Sequence, residues 1–94
     1  MIDYKRKAEK NKQKIINKDV KKFKKLCMQE FHISIKKGLN QTIVDFFDNV
    51  TYAFQEEISI IVLKELKQEN PQINFEFSHR HFNNGYKGIQ INTK

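Results

Sequence analysis

Cysteine, proline and tryptophan are almost missing from this 94-residue sequence, which has one Cys, one Pro and no Trp. A lone Cys27 excludes an intramolecular disulfide and leaves no zinc-finger spacing. Secreted domains of this size usually rely on such staples, so a reducing, cytoplasmic setting is expected. Long apolar runs are absent too. The longest, Ile60 to Leu63, is far too short to cross a bilayer, so no membrane role is expected. Met1 is followed by Asp3, Lys5, Arg6 and Lys7 with no apolar stretch behind them, which argues against a secretory signal. No Gly-x-Ser-x-Gly, P-loop or His-Glu-x-x-His pattern occurs, so neither a catalytic residue nor a cofactor or small-molecule substrate is expected.

Arginine is also scarce. Of 18 basic residues only Arg6 and Arg80 are arginine. Lysine binds phosphate as a point charge, whereas arginine is the better reader of bases. The lysine bias, with abundant Asn and Ile, fits an AT-rich genome and suggests a mobile element such as a phage or plasmid.

What the sequence does have is charge, unevenly placed. Residues 1–37 carry 13 Lys/Arg against 4 Asp/Glu, a net +9, and residues 38–94 carry 5 against 7, a net −2. A concentrated basic segment on a near-neutral remainder is the electrostatic footprint of a nucleic-acid binder. A single α+β domain over 1–94 is expected, with 1–14 as a flexible basic arm.

Asp3 to roughly Phe31 has helical spacing. Ala8, Ile15, Ile16, Val20, Phe23, Leu26, Cys27 and Phe31 recur every three to four residues, and lysines fill the other faces. Asn17 or Asp19 could cap a fresh start there. His32 to Lys36 alternates like a short strand or extended link closed by Gly38. Thr42 then resembles an N-cap with Asp45 as its capping-box partner, opening an apolar central helix that Pro71 ends after Glu69 or Asn70. One face of that helix would bury Ile43, Phe47, Val50, Phe54, Ile58 and Ile61. Two alternatives stay open: a strand over Ile58 to Leu63, and a turn at Asp48-Asn49 that makes two shorter helices.

The C-terminus is predicted as a β-hairpin. A two-residue Asn84-Gly85 turn would put Phe77 opposite Asn92 and split the apolar residues between faces. A three-residue loop, Asn83-Asn84-Gly85, instead pairs Phe82 with Tyr86, His79 with Ile89 and Phe77 with Ile91, as would a longer loop of odd length. Ser78, Arg80, Phe82, Tyr86, Gln90 and Asn92 would then face outward. Helices followed by such a hairpin resemble, in architecture alone, a winged helix-turn-helix with the hairpin as wing. Thr42 to Phe54, in the place of a recognition helix, is too apolar to read bases well.

The expected function is non-enzymatic nucleic-acid binding, with double-stranded DNA as the partner, in an accessory or regulatory role. Lys5, Arg6, Lys7, Lys10, Lys12, Lys14, Lys18, Lys21, Lys22, Lys24 and Lys25 would hold phosphates. Arg80, Asn83, Asn84, Tyr86 and Lys87 on the hairpin would engage a groove. A homodimer would suit a palindromic site. Two alternatives compete: an interaction module or inhibitor for an acidic protein, and a metal-independent ribonuclease using His79, Arg80, His81, Tyr86 and Lys87. His79 and His81 lack the further ligands that a metal site needs. Cys27 is expected as a small buried hydrophobe.

Overall fold

The computed structural model describes residues 3–79 and 86–94, and of His79 and Tyr86 the backbone. The chain is α+β, in the order α1 (Tyr4–Lys36), β1 (Gln41–Asp45), a 3-10 turn (Tyr52–Phe54), α2 (Gln55–Glu69), β2 (Ile73–His79) and β3 (Tyr86–Thr93). All strand pairs are antiparallel, and β3 lies between β1 and β2. Two helices cover one face of this sheet, α1 packing on β1 and α2 on β2.

α1 is one continuous helix of 33 residues, opened by Asp3, whose carboxylate accepts from the Arg6 amide at 3.1 Å. No new start occurs at Asn17 or Asp19. Asp19 instead accepts from the Thr51 amide and hydroxyl at 2.8 and 2.7 Å, tying the helix to the segment before α2. The helix also runs through His32 to Lys36, where the sequence suggests a strand. Ser34 follows Phe31 by three residues on the buried face, while Ile33 and Ile35 stay 45% and 42% exposed. Five residues of alternation are outweighed by the 3.6-residue period of the helix they extend. At the end Gly38 takes φ +80° and donates to Ile35, while the Leu39 amide reaches back to Ser34. This Schellman pattern closes the helix with glycine where a side chain would be strained.

The expected central helix over 42–69 is not formed as such. Gln41 to Asp45 is a strand paired with Gly88 to Asn92. Thr42, Ile43 and Val44 are β-branched and fit a pleated surface better than a helix. A turn follows at Asp48 (φ 64°) and Asn49, at the break that the sequence allows as an alternative. Ile43 is consequently 44% and Phe47 71% exposed, not core. Ile58 to Leu63 is helical despite its β-branched content. Glu56 and Glu57 in the first turn and Lys67 in the last complement the helix dipole.

The hairpin pairs two residues away from the expected register. Phe77 faces Ile89 and Phe75 faces Ile91, with an irregularity between Ser78 and His79 before His79 meets Tyr86. The parity is the expected one: Phe75, Ile89 and Ile91 are buried on the helix side, and Ser78, Gln90 and Asn92 lie on the open side. The proposed loop Asn83-Asn84-Gly85, with Phe82, lies outside the described residues.

One core joins the layers, made of Ile16, Val20, Phe23, Cys27 and Phe31 of α1, Val44 and Phe46, Ile58, Val62 and Leu66 of α2, and Phe75, Ile89 and Ile91. Phe23 and Phe46 stack at a tilt with centroids 5.1 Å apart. Gly88 lets β1 approach β3 closely, since a Cβ there would run into the Val44 carbonyl.

Candidate nucleic-acid interface

A helix turns 100° per residue, so its faces can be assigned from the sequence once one face is known to be buried. The buried residues of α1 are Ile16, Val20, Phe23, Cys27, Phe31 and Ser34. On the outward half of the helix run Lys7, Lys10, Lys14, Lys18, Lys21, Lys25, Gln29, His32 and Lys36, stepping by three or four residues throughout, with Lys22 beside them. At 1.5 Å per residue the row spans about 44 Å. All of these side chains are exposed, and no acidic residue interrupts the row. Among the described residues none of its lysines has an ion-pair partner. The result is a straight ridge of uncompensated positive charge.

Two α1 lysines take a different path. Lys24 turns toward α2 and bonds Glu65 and Glu69 at 2.8 and 2.7 Å, with its side chain 18% exposed. Burial alone would lower its pKa, but the bonds and charges of the two glutamates more than reverse this and raise it. Lys12 pairs with Glu57 at 3.1 Å and lies over the Phe54 ring at 5.6 Å. The acidic partners that are missing along α1 itself therefore come from α2. Lys24, expected at the interface, is committed to holding the helices together.

Lys5 and Arg6 sit with Lys7 on the first turns, which are exposed on every side. Lys87 is also exposed and lies 4.0 Å from Asp45, at the sheet end far from the ridge in sequence. Tyr86 begins β3. Arg80, Asn83 and Asn84 lie outside the described residues, as does His81. Cys27 is fully buried, and burial pushes its thiol pKa up to about 12, so it is an inert core residue. Among the described residues no cluster of His, Cys, Asp or Glu is suited to a metal ion, and no helix is long and apolar enough to cross a membrane.

The turn at residues 46–50 falls at the Asp48-Asn49 break that the sequence allows, but its place against α1 is a feature that sequence reasoning missed. It packs beside α1, where Lys22, Phe23, Lys25, Leu26 and Gln29 form a depression with Asn49. The Asp48-Asn49 pair was a signal for the turn, but not for its location against the lysines.

No protein-family model matches the chain, and neither a curated protein nor a solved structure matches it.

Proposed function

We propose that the chain is a non-enzymatic nucleic-acid-binding protein that lays the outer ridge of α1 against a phosphate backbone, with duplex DNA as its main ligand and an accessory or regulatory role. The observation that carries this reading is the exposed row from Lys7 to Lys25, continued by Gln29 and His32 to Lys36, which no acidic residue interrupts and whose lysines have no ion-pair partner among the described residues. Duplex DNA carries about one charge per 1.7 Å, and lysines that neutralise phosphates release condensed counterions. An acidic protein partner is less well matched. Protein interfaces are depleted in lysine and concentrate their energy in a desolvated aromatic or arginine centre, which this ridge lacks. The winged-helix comparison gains the central position of β3. It loses the helix-turn-helix, since between β1 and β2 one 3-10 turn runs directly into a single α-helix. Contacts are accordingly assigned to α1, not to a recognition helix.

A salt titration tests the reading. If six ridge lysines meet phosphates, log affinity for a mixed-sequence duplex falls with log salt with a slope of about −5, or roughly a thousandfold between 50 and 200 mM. A slope shallower than about −1, or no binding at 50 mM, would sink the proposal.

A further inference from the structure

The start of α1 stands clear of the described core. Tyr4 to Ile15 precede Ile16, the first buried residue of the helix, and all of them are exposed except Lys12, which leans onto Glu57 and Phe54. At 1.5 Å per residue this overhang is about 18 Å long. It contains neither glycine nor proline and grows from a helix already nucleated by packing, so it stays helical without cover of its own. The Asp3 carboxylate caps its start by taking the Arg6 amide. What the overhang offers is its sides. Arg6, Lys10, Gln13 and Asn17 follow one another by four, three and four residues, about a quarter turn from the lysine ridge, which Lys10 borders. The Gln13 side chain donates to the Asn17 side-chain oxygen at 2.9 Å, so the two amides are held as one unit. That leaves the Gln13 Oε1 as an acceptor and the Asn17 Nδ2 as a donor, both on exposed residues.

We propose that this overhang enters the major groove of duplex DNA, where the Gln13–Asn17 pair reads an adenine and Arg6 reads a guanine. The inference rests on the nucleic-acid reading of the ridge and adds the means by which a base sequence is recognised. A helix of about 10–12 Å diameter fits a major groove about 12 Å wide. Adenine presents there an N6 amino donor and an N7 acceptor, which match the Oε1 of Gln13 and the Nδ2 of Asn17. Arg6 is one of only two arginines in the chain, and among the described residues its guanidinium has no ion-pair partner. Its planar fork suits guanine O6 and N7. Gln13 lies seven residues after Arg6, a rise of about 10.5 Å or about three base-pair steps. With this face on the groove floor, Lys7, Lys14 and Lys18 of the ridge point to one wall and meet the phosphates there. Glu9, the single acid between Tyr4 and Ile15, lies on the side away from that wall.

Duplexes of 20 base pairs with a randomised centre are selected on the unsubstituted protein at 50 mM salt. The expected product is a preferred sequence with an adenine and a guanine about three steps apart. On that duplex Gln13→Ala and Asn17→Ala each lower affinity about five- to 150-fold, the range of one lost base contact. On a scrambled duplex of the same composition their affinity changes by less than about twofold, and the salt slope and melting temperature stay at the parent values. Arg6→Lys, which keeps the charge and loses the planar fork, relaxes the preference at guanine. Replacing the adenine by 7-deazaadenine, which lacks the N7 acceptor, weakens the parent by a similar factor and the Asn17→Ala variant no further. No preferred sequence, or equal losses on the preferred and scrambled duplexes, overturns the proposal and leaves the ridge intact. Failure of the unsubstituted protein to hold any duplex overturns both readings together.

Discussion

Lys24 and Lys25 are neighbours in sequence and opposites in structure. Lys24 faces α2, clasped by Glu65 and Glu69, and Lys25 faces solvent in a row with Lys18, Lys21 and Lys36. The contrast extends along the whole of α1. Its inward side consists of Ile16, Val20, Phe23, Cys27 and Phe31 and belongs to folding. Its outward side contributes little to folding and so is free to carry charge that a compact protein otherwise tolerates poorly. Counting lysines cannot make this distinction, because the residue type is the same on both sides and only the partner differs. If the contrast is right, substitutions on one side change binding without stability, and those on the other do the reverse.

The largest effect is expected outside. Replacing Lys14, Lys18, Lys21 and Lys25 together with glutamine removes four contacts from one line. The salt slope flattens by about 3.6, which at 0.1 M salt is on the order of a thousandfold in duplex affinity. All four side chains are exposed, so the melting temperature stays close to that of the parent. Loss of folding in this variant would erase the distinction between the two sides.

Next come the interior sites. Phe23→Ala deletes a fully buried ring that stacks on Phe46, at a cost of about 3–5 kcal/mol. Gly88→Ala acts at the sheet, where the new methyl group meets the Val44 carbonyl and the Asp45 backbone instead of a flexible side-chain end. Overpacking of this kind costs about 1–3 kcal/mol and more where backbone must move. Chemical denaturation reads both. In each case the fraction that stays folded keeps the parent's salt slope.

The inward side was largely legible in the sequence, because a helix's core stripe is set by residues three and four apart. Ile16, Val20, Phe23, Cys27 and Phe31 are all found where that spacing puts them. The hairpin's parity was legible for the same local reason, although its register slipped by two residues with the loop outside the described region. β1 was not legible. Ile43, Phe47, Val50 and Phe54 have helical spacing by coincidence, and they fall on a strand, a turn and a 3-10 segment. What makes Gln41 to Asp45 a strand is β3, more than forty residues away along the chain, and no local pattern records that pairing. Lys24 was misassigned for the same reason. Its partners lie 41 and 45 residues along the chain, beyond any i,i+4 rule. Phe47, expected in the core on helical spacing, is 71% exposed because it falls on the turn after β1.

An effect confined to alkaline pH comes from Cys27. Its buried thiol has a pKa raised from 9.0 to about 12, so the folded chain keeps a proton that the unfolded chain releases. Stability is therefore full below about pH 9 and falls between pH 9 and 12, by up to about 1.4 kcal/mol per pH unit. Lys24 adds a decline in the same direction above the ordinary lysine value of 10.5, because its folded pKa is raised as well. Cys27→Ala shifts the onset of alkaline destabilisation upward, apart from the constant cost of the lost side chain. An unchanged onset would show that the thiol is not held protonated by the core.

The smallest effect is also the sharpest test, because it uses adjacent residues. Lys25→Gln removes one ridge charge. The salt slope drops by about 0.9, and stability moves by less than about 0.5 kcal/mol. Lys24→Gln leaves Glu65 and Glu69 facing each other without the ammonium between them. The pair of bonds is partly exposed, and such ion pairs are worth about 0.2–1 kcal/mol, so the loss in denaturation midpoint is small but measurable. Its salt slope stays at the parent value, since Lys24 never met a phosphate. A double variant should show both changes added, because the two side chains share no partner. Should Lys24→Gln flatten the slope as much as Lys25→Gln does, the clasp with α2 opens on binding, and the ridge is one lysine wider than the free protein shows.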